Sequence, residues 1–141
     1  MKIKKAFQEV PTPTYATPGS ACFDLASIET ATICCRGTEI IRTGLHVEVP
    51  PGHVMLIFSR SGHGFKHGVR LANAVGVVDS DYRGEIMVAL HNDSLNEFRV
   101  MQGDRIAQAL VIPVVQQTFE IATHLSETDR GVNGFGSTGL G

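Results

Sequence analysis

Leu45, Val47 and Val49 alternate with His46 and Glu48, the period of two that marks a strand with one buried face. Pro50-Pro51-Gly52 closes that segment with a turn. The uninterrupted apolar run Val54-Met55-Leu56-Ile57-Phe58, bounded by this turn and by Ser59, predicts a strand buried on both faces. Val75-Gly76-Val77-Val78 and Ile86-Met87-Val88-Ala89-Leu90 flank the polar stretch Asp79 to Gly84, a pattern that predicts a hairpin with a polar tip. Phe98-Arg99-Val100 and Ile106 to Val115 add further strands, with Gly103-Asp104 as the turn between them, and Phe119 and Ile121 again alternate with polar neighbours. Helical periodicity is almost absent. One short helical turn is predicted from Arg60 to His67 with Ser59 as its cap, and glycines in and beside it weaken its propensity. Short strands at close spacing with turn residues between them predict an all-β sandwich or barrel, and no internal repeat is present.

Composition sharpens this picture. The chain has 141 residues, the size of one domain, with 43% apolar residues to supply a core. Its 18% charged residues fall below the usual value of about 25%, which argues against disorder or a coiled coil. From Ser126 to Gly141 the only sizeable apolar residues are Val132, Phe135 and Leu140 among many glycines. Such a segment cannot bury enough surface to order itself. The expected organisation is a β-barrel over 1–125 and a mobile glycine-rich C-terminal tail over 126–141, either a frayed terminus or a flap that orders on a ligand. The net charge of −2 gives no counterion-release drive toward nucleic acid, so no nucleic-acid partner is expected. The longest apolar run, Ala109 to Val115, contains Pro113 and is far short of the roughly twenty residues of a membrane helix, so no membrane partner is expected either. The basic start Met1 to Phe7 lacks the apolar stretch of a signal peptide. Cys22, Cys34 and Cys35 are odd in number and two are adjacent, which fits reduced thiols rather than a disulfide framework. Cys34 and Cys35 are expected as partly buried thiols in a strand-like stretch. The expected location is the cytoplasm, or the nucleus in a eukaryotic or viral setting.

Four polar segments stand out in an otherwise β-rich chain. Gly19-Ser20-Ala21-Cys22-Phe23-Asp24-Leu25 sets a carboxylate between apolar neighbours, where it either bonds backbone amides at a strand end or serves a site. Ser59-Arg60-Ser61-Gly62 follows a strand; it is an ordinary capped turn or an anion-binding one, with free N–H groups and a guanidinium suited to phosphate. Asn73 to Glu85 holds Asp79 and Asp81 around Ser80, with Tyr82 beyond: an Asx-rich turn, or a carboxylate that holds water as a general base or reaches a metal. Arg130 to Gly139 offers glycine amides, hydroxyls and Phe135, which together can enclose a phosphate and stack on a base, although it lacks the lysine and helix of a P-loop. His63 and His67 have helical spacing but no glutamate follows His63, so they read as surface or helix-packing histidines. The four segments share anion donors, a stacking aromatic and a water-activating carboxylate. That combination points to a nucleoside polyphosphate and to phosphoanhydride hydrolysis.

In order along the chain, Gly-Ser-Ala-Cys-Phe-Asp-Leu, Ser-Arg-Ser-Gly, Gly-Val-Val-Asp-Ser-Asp-Tyr-Arg-Gly-Glu, Gly-Asp-Arg-Ile-Ala-Gln and Arg-Gly-Val-Asn-Gly-Phe-Gly-Ser-Thr-Gly resemble the five motifs of the trimeric dUTP diphosphatases. The resemblance runs from Thr12 to Gly139. Cys22, Ser59 and Asn133 depart from the family pattern, which usually has Gly, Pro and Gly there; the change at Asn133 is mild, since Asn tolerates positive φ. The resemblance implies a distorted jelly-roll-like barrel with one short helix, assembled as a homotrimer whose active sites are shared between subunits. The implied activity is Mg²⁺-dependent hydrolysis of dUTP to dUMP and pyrophosphate by water attack at the α-phosphorus.

It further implies that Asp79 orients the attacking water and that Asp24 holds Mg²⁺ through its waters. Arg60, Ser61 and Gly62 would cradle the α- and β-phosphates, with Gln108 as a further phosphate contact. Uracil would enter a hairpin between Asn73 and Met87 that includes Gly76, and Tyr82 would lie under the deoxyribose. Arg130, Ser137 and Thr138 would meet the γ-phosphate end, Phe135 would stack over uracil, and Gly136 would also bind substrate. Asp104 and Arg105 would hold a turn or a subunit contact rather than touch substrate. An alternative on the same fold is a nucleotide-gated binding or regulatory module. The glutamate base and motif order of the dCTP deaminases, which share the general fold, are not found.

Overall fold

The computed structural model describes residues 1–134. Among them are ten strands and one helix: β1 (Lys2–Lys5), β2 (Phe23–Ala26), β3 (Ala31–Ile33), β4 (Thr38–Glu48), β5 (His53–Phe58), α1 (Ser61–His67), β6 (Val69–Leu71), β7 (Gly76–Val78), β8 (Glu85–Asn92), β9 (Phe98–Val100) and β10 (Arg105–Pro113). All pairings are antiparallel. One sheet runs β1-β4-β8-β6, a second β2-β10-β5-β7, and β3 pairs with β9. The result is an all-β, jelly-roll-like barrel. Its core is built by alternation: Leu25, Met55, Ile57, Ala107 and Ala109 from one sheet and Ile41, Leu45, Val69, Val88 and Leu90 from the other are buried. No described helix is long and apolar enough to cross a membrane.

The long strand β4 is broken by a register shift between Arg42 and His46. Gly44 sits there at φ +66° with its Cα against Val10 and Ile28, so neither the angle nor the space admits a side chain. Glu85 closes the irregularity: its carboxylate accepts the Gly44 N–H at 2.8 Å and the Arg42 guanidinium at 3.1–3.3 Å. Burial pushes the Glu85 carboxyl up, but these hydrogen bonds and the Arg42 charge outweigh it and leave it below the usual glutamate value.

The structure departs from the pattern-based expectations at several places. Only Met55 and Ile57 of β5 are buried; Val54, Leu56 and Phe58 are half-covered, because among the described residues no further layer lies on the outer face of that sheet. The hairpin expected around Asp79–Gly84 is not a ladder-paired one. β7 pairs with β5 while β8 pairs with β4 and β6, so the polar stretch crosses from one sheet to the other. Ser59 does not cap α1. The N-cap is Arg60, without a side-chain bond, and Ser59 Oγ instead accepts the Leu71 N–H at 2.8 Å. Cys34 and Cys35 are exposed, in the turn after β3 that Arg36 completes at φ 58°. Phe119 and Ile121 belong to no strand: from Val114 to Gly134 the chain has neither strand nor helix, and every residue there is exposed.

Candidate active site

Two clefts gather the predicted residues. The first is built by neighbouring strands of one sheet. Phe23 and Leu25 of β2 point into the core, so Asp24 between them points out. Asp24 stands opposite Gln108 on β10, and Gln108 stands opposite Phe58, the last residue of β5. The chain leaving β5 is Ser59-Arg60, and Gln108 Nε2 donates to Ser59 O at 3.0 Å. Three adjacent strand positions thus bring Asp24, Gln108 and the start of α1 to one end of the sheet. Asp24 Oδ1 lies 3.2 Å from Arg60 Nε and Oδ2 3.2 Å from Arg105 Nη1, while Arg60 Nη1 donates to Arg105 O at 3.1 Å. The cleft, about 330 Å³, is lined by these three residues, Ser61, Gly62 and Gln108, with Ser20 and Cys22 at its side. Two guanidiniums on one carboxylate leave it net positive, and the exposed hydroxyl of Ser61 adds a donor: chemistry suited to a phosphate chain.

The second cleft, about 240 Å³, lies where β7 passes to β8. Asn73, Gly76, Asp79, Tyr82 and Met87 all line it, with Ile57 as its floor. The chain enters through a tight reversal in which Ala74 adopts φ 60° and the Val75 N–H reaches Asn73 O at 2.6 Å. Gly76 passes so close to Ile57 that an added Cβ would stand 3.1 Å from the Ile57 Cβ. Tyr82 folds back over Gly84, where no Cβ would fit, and its hydroxyl donates to Glu85 O at 3.1 Å. The ring is therefore fixed by its own turn and half-exposed toward the cleft, and Asp79 is exposed at the edge. A narrow slot with backbone polar groups, an aromatic wall and a carboxylate suits a small flat ring with its sugar.

The two clefts share no lining residue. Arg130 lines neither: it is exposed, and its Nε donates to Asn133 O at 3.0 Å. Phe135, Gly136, Ser137 and Thr138 lie outside the described residues. The sequence reading kept Arg105 for a turn or a subunit contact; the structure lines the first cleft with it, as the second guanidinium on Asp24. Its signals in the sequence were its place in the fourth motif and a cation opening an apolar strand, and the register shift between Arg105 and Ala107 that turns it toward Asp24 is invisible in sequence. Glu85, which braces the wall of the second cleft, gave no signal beyond its place in the third motif.

Fold and clefts together define an all-β protein with a cationic cleft whose chemistry suits phosphate and a separate narrow slot whose shape suits a flat ring. The family model for dUTPase matches residues 8–139. The chain belongs to the dUTPase family. It is 48% identical over 139 residues to the deoxyuridine 5'-triphosphate nucleotidohydrolase of Nautilia profundicola, covering 99% of this chain and 98% of that one. With the corresponding protein of Pseudomonas fluorescens it shares 48% over 134 residues, 93% of this chain and 89% of the other. Among solved structures, the Staphylococcus bacteriophage 80alpha dUTPase bound to dUpNHpp superposes with a TM-score of 0.92 at 24% identity, covering 99% and 98% of the two chains. A dUTPase of S. aureus phage phi11, described with a structural Mg(II) ion, superposes at 0.83 with 18% identity over 89% and 98%.

Proposed function

We propose that this protein is a dUTP diphosphatase that hydrolyses dUTP to dUMP and pyrophosphate. The observation that carries this reading is the pairing, in a chain of this family, of a cationic cleft with a narrow base-sized slot edged by Asp79. Water attacks the α-phosphorus, the bond from that phosphorus to the bridging oxygen breaks, and pyrophosphate leaves. Asp79 takes the proton from the attacking water. Arg60 and Ser61 hold the α- and β-phosphates, Gln108 supports them, and Gly62 lets the backbone approach. The slot between Asn73, Gly76 and Met87 reads uracil, since cytosine would leave donors and acceptors mismatched at about 1–3 kcal/mol per group. Tyr82, pinned by Glu85 and Gly84, walls off a 2′-hydroxyl.

Magnesium fits the residues present. Among the described residues no group of three or more His, Cys, Asp or Glu side chains is placed to hold a metal. The phosphate cleft offers one carboxylate, Asp24, beside phosphate-binding cations. That donor set suits an ion held chiefly by phosphates and water, as Mg²⁺ prefers. Asp24 would hold it through water, and the bound ion would supply neutralisation of the triphosphate.

The functional unit in this proposal is a homotrimer, with the slot of one subunit, the phosphate cleft of a second and segment 126–141 of a third forming each site. Arg130, Phe135, Gly136, Ser137 and Thr138 are the tail's contributions at the base and γ-phosphate. The reading is supported by the separateness of the two clefts and by apolar surface that one chain leaves open: Val77 and Val115 are 63% and 76% exposed around a groove that also takes in Val54, Leu56 and Val114. The test is a panel of nucleoside triphosphates with Mg²⁺, read for pyrophosphate release, in which dUTP alone should turn over efficiently. Mixing Asp79→Asn with Arg60→Ala chains after dissociation should regain activity that neither has alone. No regain would place both clefts of a site in one subunit.

A further inference from the structure

α1 carries the start of the phosphate cleft, yet none of its residues is buried, and its Phe65 is 97% exposed. Two rings tie its far side to the barrel. His63 lies edge-on to Phe98 of β9 with centroids 5.3 Å apart, and His67, one turn on, meets the same ring at 5.2 Å. His63 is the more enclosed of the two. Its Nδ1 is the one buried side-chain polar atom among the described residues with no hydrogen-bond partner in the chain. A neutral imidazole suits this place, beside the Phe98 ring and with Nδ1 unpaired; an imidazolium would carry a charge with no acceptor at Nδ1.

We propose that His63 is a positioning residue for the phosphate cradle: its neutral ring, wedged on Phe98, seats the start of α1, and a proton on that ring loosens Arg60, Ser61 and Gly62. The inference rests on reading those three residues as the phosphate cradle. The surrounding charges agree in direction. Burial first, then Arg60 at the helix start and His67 on the same helix, hold the His63 proton affinity below the ordinary value of 6.5, and only Asp104 in the turn before β10 opposes them. Lys66 on α1 adds a further positive charge, Glu97 sits beside Phe98 at the neighbouring groove, and Arg70 on β6 is committed to Asp93 at 2.7 Å. A group whose folded value is depressed leaves the seated state intact above about 6.5 and undermines it as pH falls through the folded value. Saturating substrate should pull the cradle back, so acid should raise KM and spare kcat.

The test is the pH dependence of KM and kcat for dUTP between pH 8 and 5 in the wild type, His63→Leu and His63→Asn. Comparing variants with the wild type cancels the titration of dUTP itself. Between pH 7.5 and 5.5 the wild-type KM should rise about threefold more than that of His63→Leu, the full tenfold per pH unit between seated and loosened values being reached only below both. His63→Asn, which keeps a polar group and does not titrate, should follow His63→Leu and serves if the leucine variant fails to fold. Equal KM profiles in wild type and folded variants would overturn the inference. Amide hydrogen exchange of segment 59–68 reads the same seat without substrate. On going from pH 7.5 to 5.5 the wild-type rate should rise relative to the variants at matched pH, and an unchanged ratio would overturn the inference. If the wild type releases no pyrophosphate from dUTP at any pH, the functional reading fails, and the exchange ratio still decides the role of His63.

Discussion

Replacing Asp24 by Asn separates two roles that the structure gives one carboxylate. Asp24 accepts from Arg60 and Arg105 at 3.2 Å each and is only 18% exposed, so it both fixes the guanidiniums and cancels part of their charge. A phosphate on the far side of either guanidinium would lie about 7 Å from the carboxylate, where one unit charge is worth about 2.4 kcal/mol at an effective dielectric of about 20. Screening at physiological salt, with a Debye length of about 8 Å, reduces this to about 1 kcal/mol, or roughly fivefold in affinity. Asp24→Asn should therefore bind a non-hydrolysable dUTP analogue about fivefold more tightly than wild type in EDTA. With Mg²⁺ the order should reverse, because the wild type alone keeps an anionic group for the hydrated ion. Titration calorimetry with and without Mg²⁺ measures both arms. An Asp24→Asn protein that keeps the wild-type gain on adding Mg²⁺ would remove Asp24 from the metal's surroundings. Weaker metal-free binding would show that orienting the arginines outweighs the charge it cancels.

Asp79→Asn should lose about 10²–10⁴ in turnover while binding dUTP within an order of magnitude of wild type; near-normal single-turnover rates would move the base to Asp81. Tyr82→Ala should raise the kcat/KM of UTP relative to dUTP, and an unchanged ratio would leave Tyr82 as turn packing on Gly84. Deleting 130–141 should leave a folded protein by circular dichroism that hydrolyses dUTP poorly, since the deletion removes Arg130, Phe135, Ser137 and Thr138 while the described residues from Val114 onward contribute nothing buried; full activity would exclude the tail from the site. Glu85 has its proton affinity lowered from 4.5, so its stabilisation holds above that value and fades as pH falls through the folded one. Glu85→Gln should accordingly lower Tm at pH 7 and flatten its loss between pH 4.5 and 3, as thermal melts across that range would record.

What the sequence reveals depends on how local the cause is. The outward aim of Asp24 follows from Phe23 and Leu25 on either side, and the apolar run at β5 announces its strand. Residues of the slot are legible because they lie within one short stretch, Asn73 to Met87. Non-local causes are silent. Ser59 looks like a cap until the Leu71 N–H claims its hydroxyl from twelve residues away. β7 and β8 look like a hairpin until the ladder shows their partners to be β5 and β4. Arg105 becomes part of the site only through the register shift that sets it against Asp24.

Charge shows why the phosphate cleft cannot finish the site alone. At neutral pH a nucleoside triphosphate carries close to four negative charges, since its terminal phosphate contributes about −1.5 to −2 and the inner two about one each. The cleft supplies two guanidiniums and one carboxylate, a net single positive charge. Adding a third arginine beside Asp24 would attract the ligand but leave product pyrophosphate equally well held. A carboxylate that fixes Arg60 and Arg105 gives donors of defined direction, and in the proposed site these would favour charge developing at the α-phosphate over charge that is merely nearby. The remaining neutralisation must come from groups that arrive with the substrate. In the proposed assembly these are the magnesium ion that accompanies the phosphates and Arg130 from another subunit's tail. Groups that left with pyrophosphate would keep tight binding of the triphosphate from becoming slow release of the product.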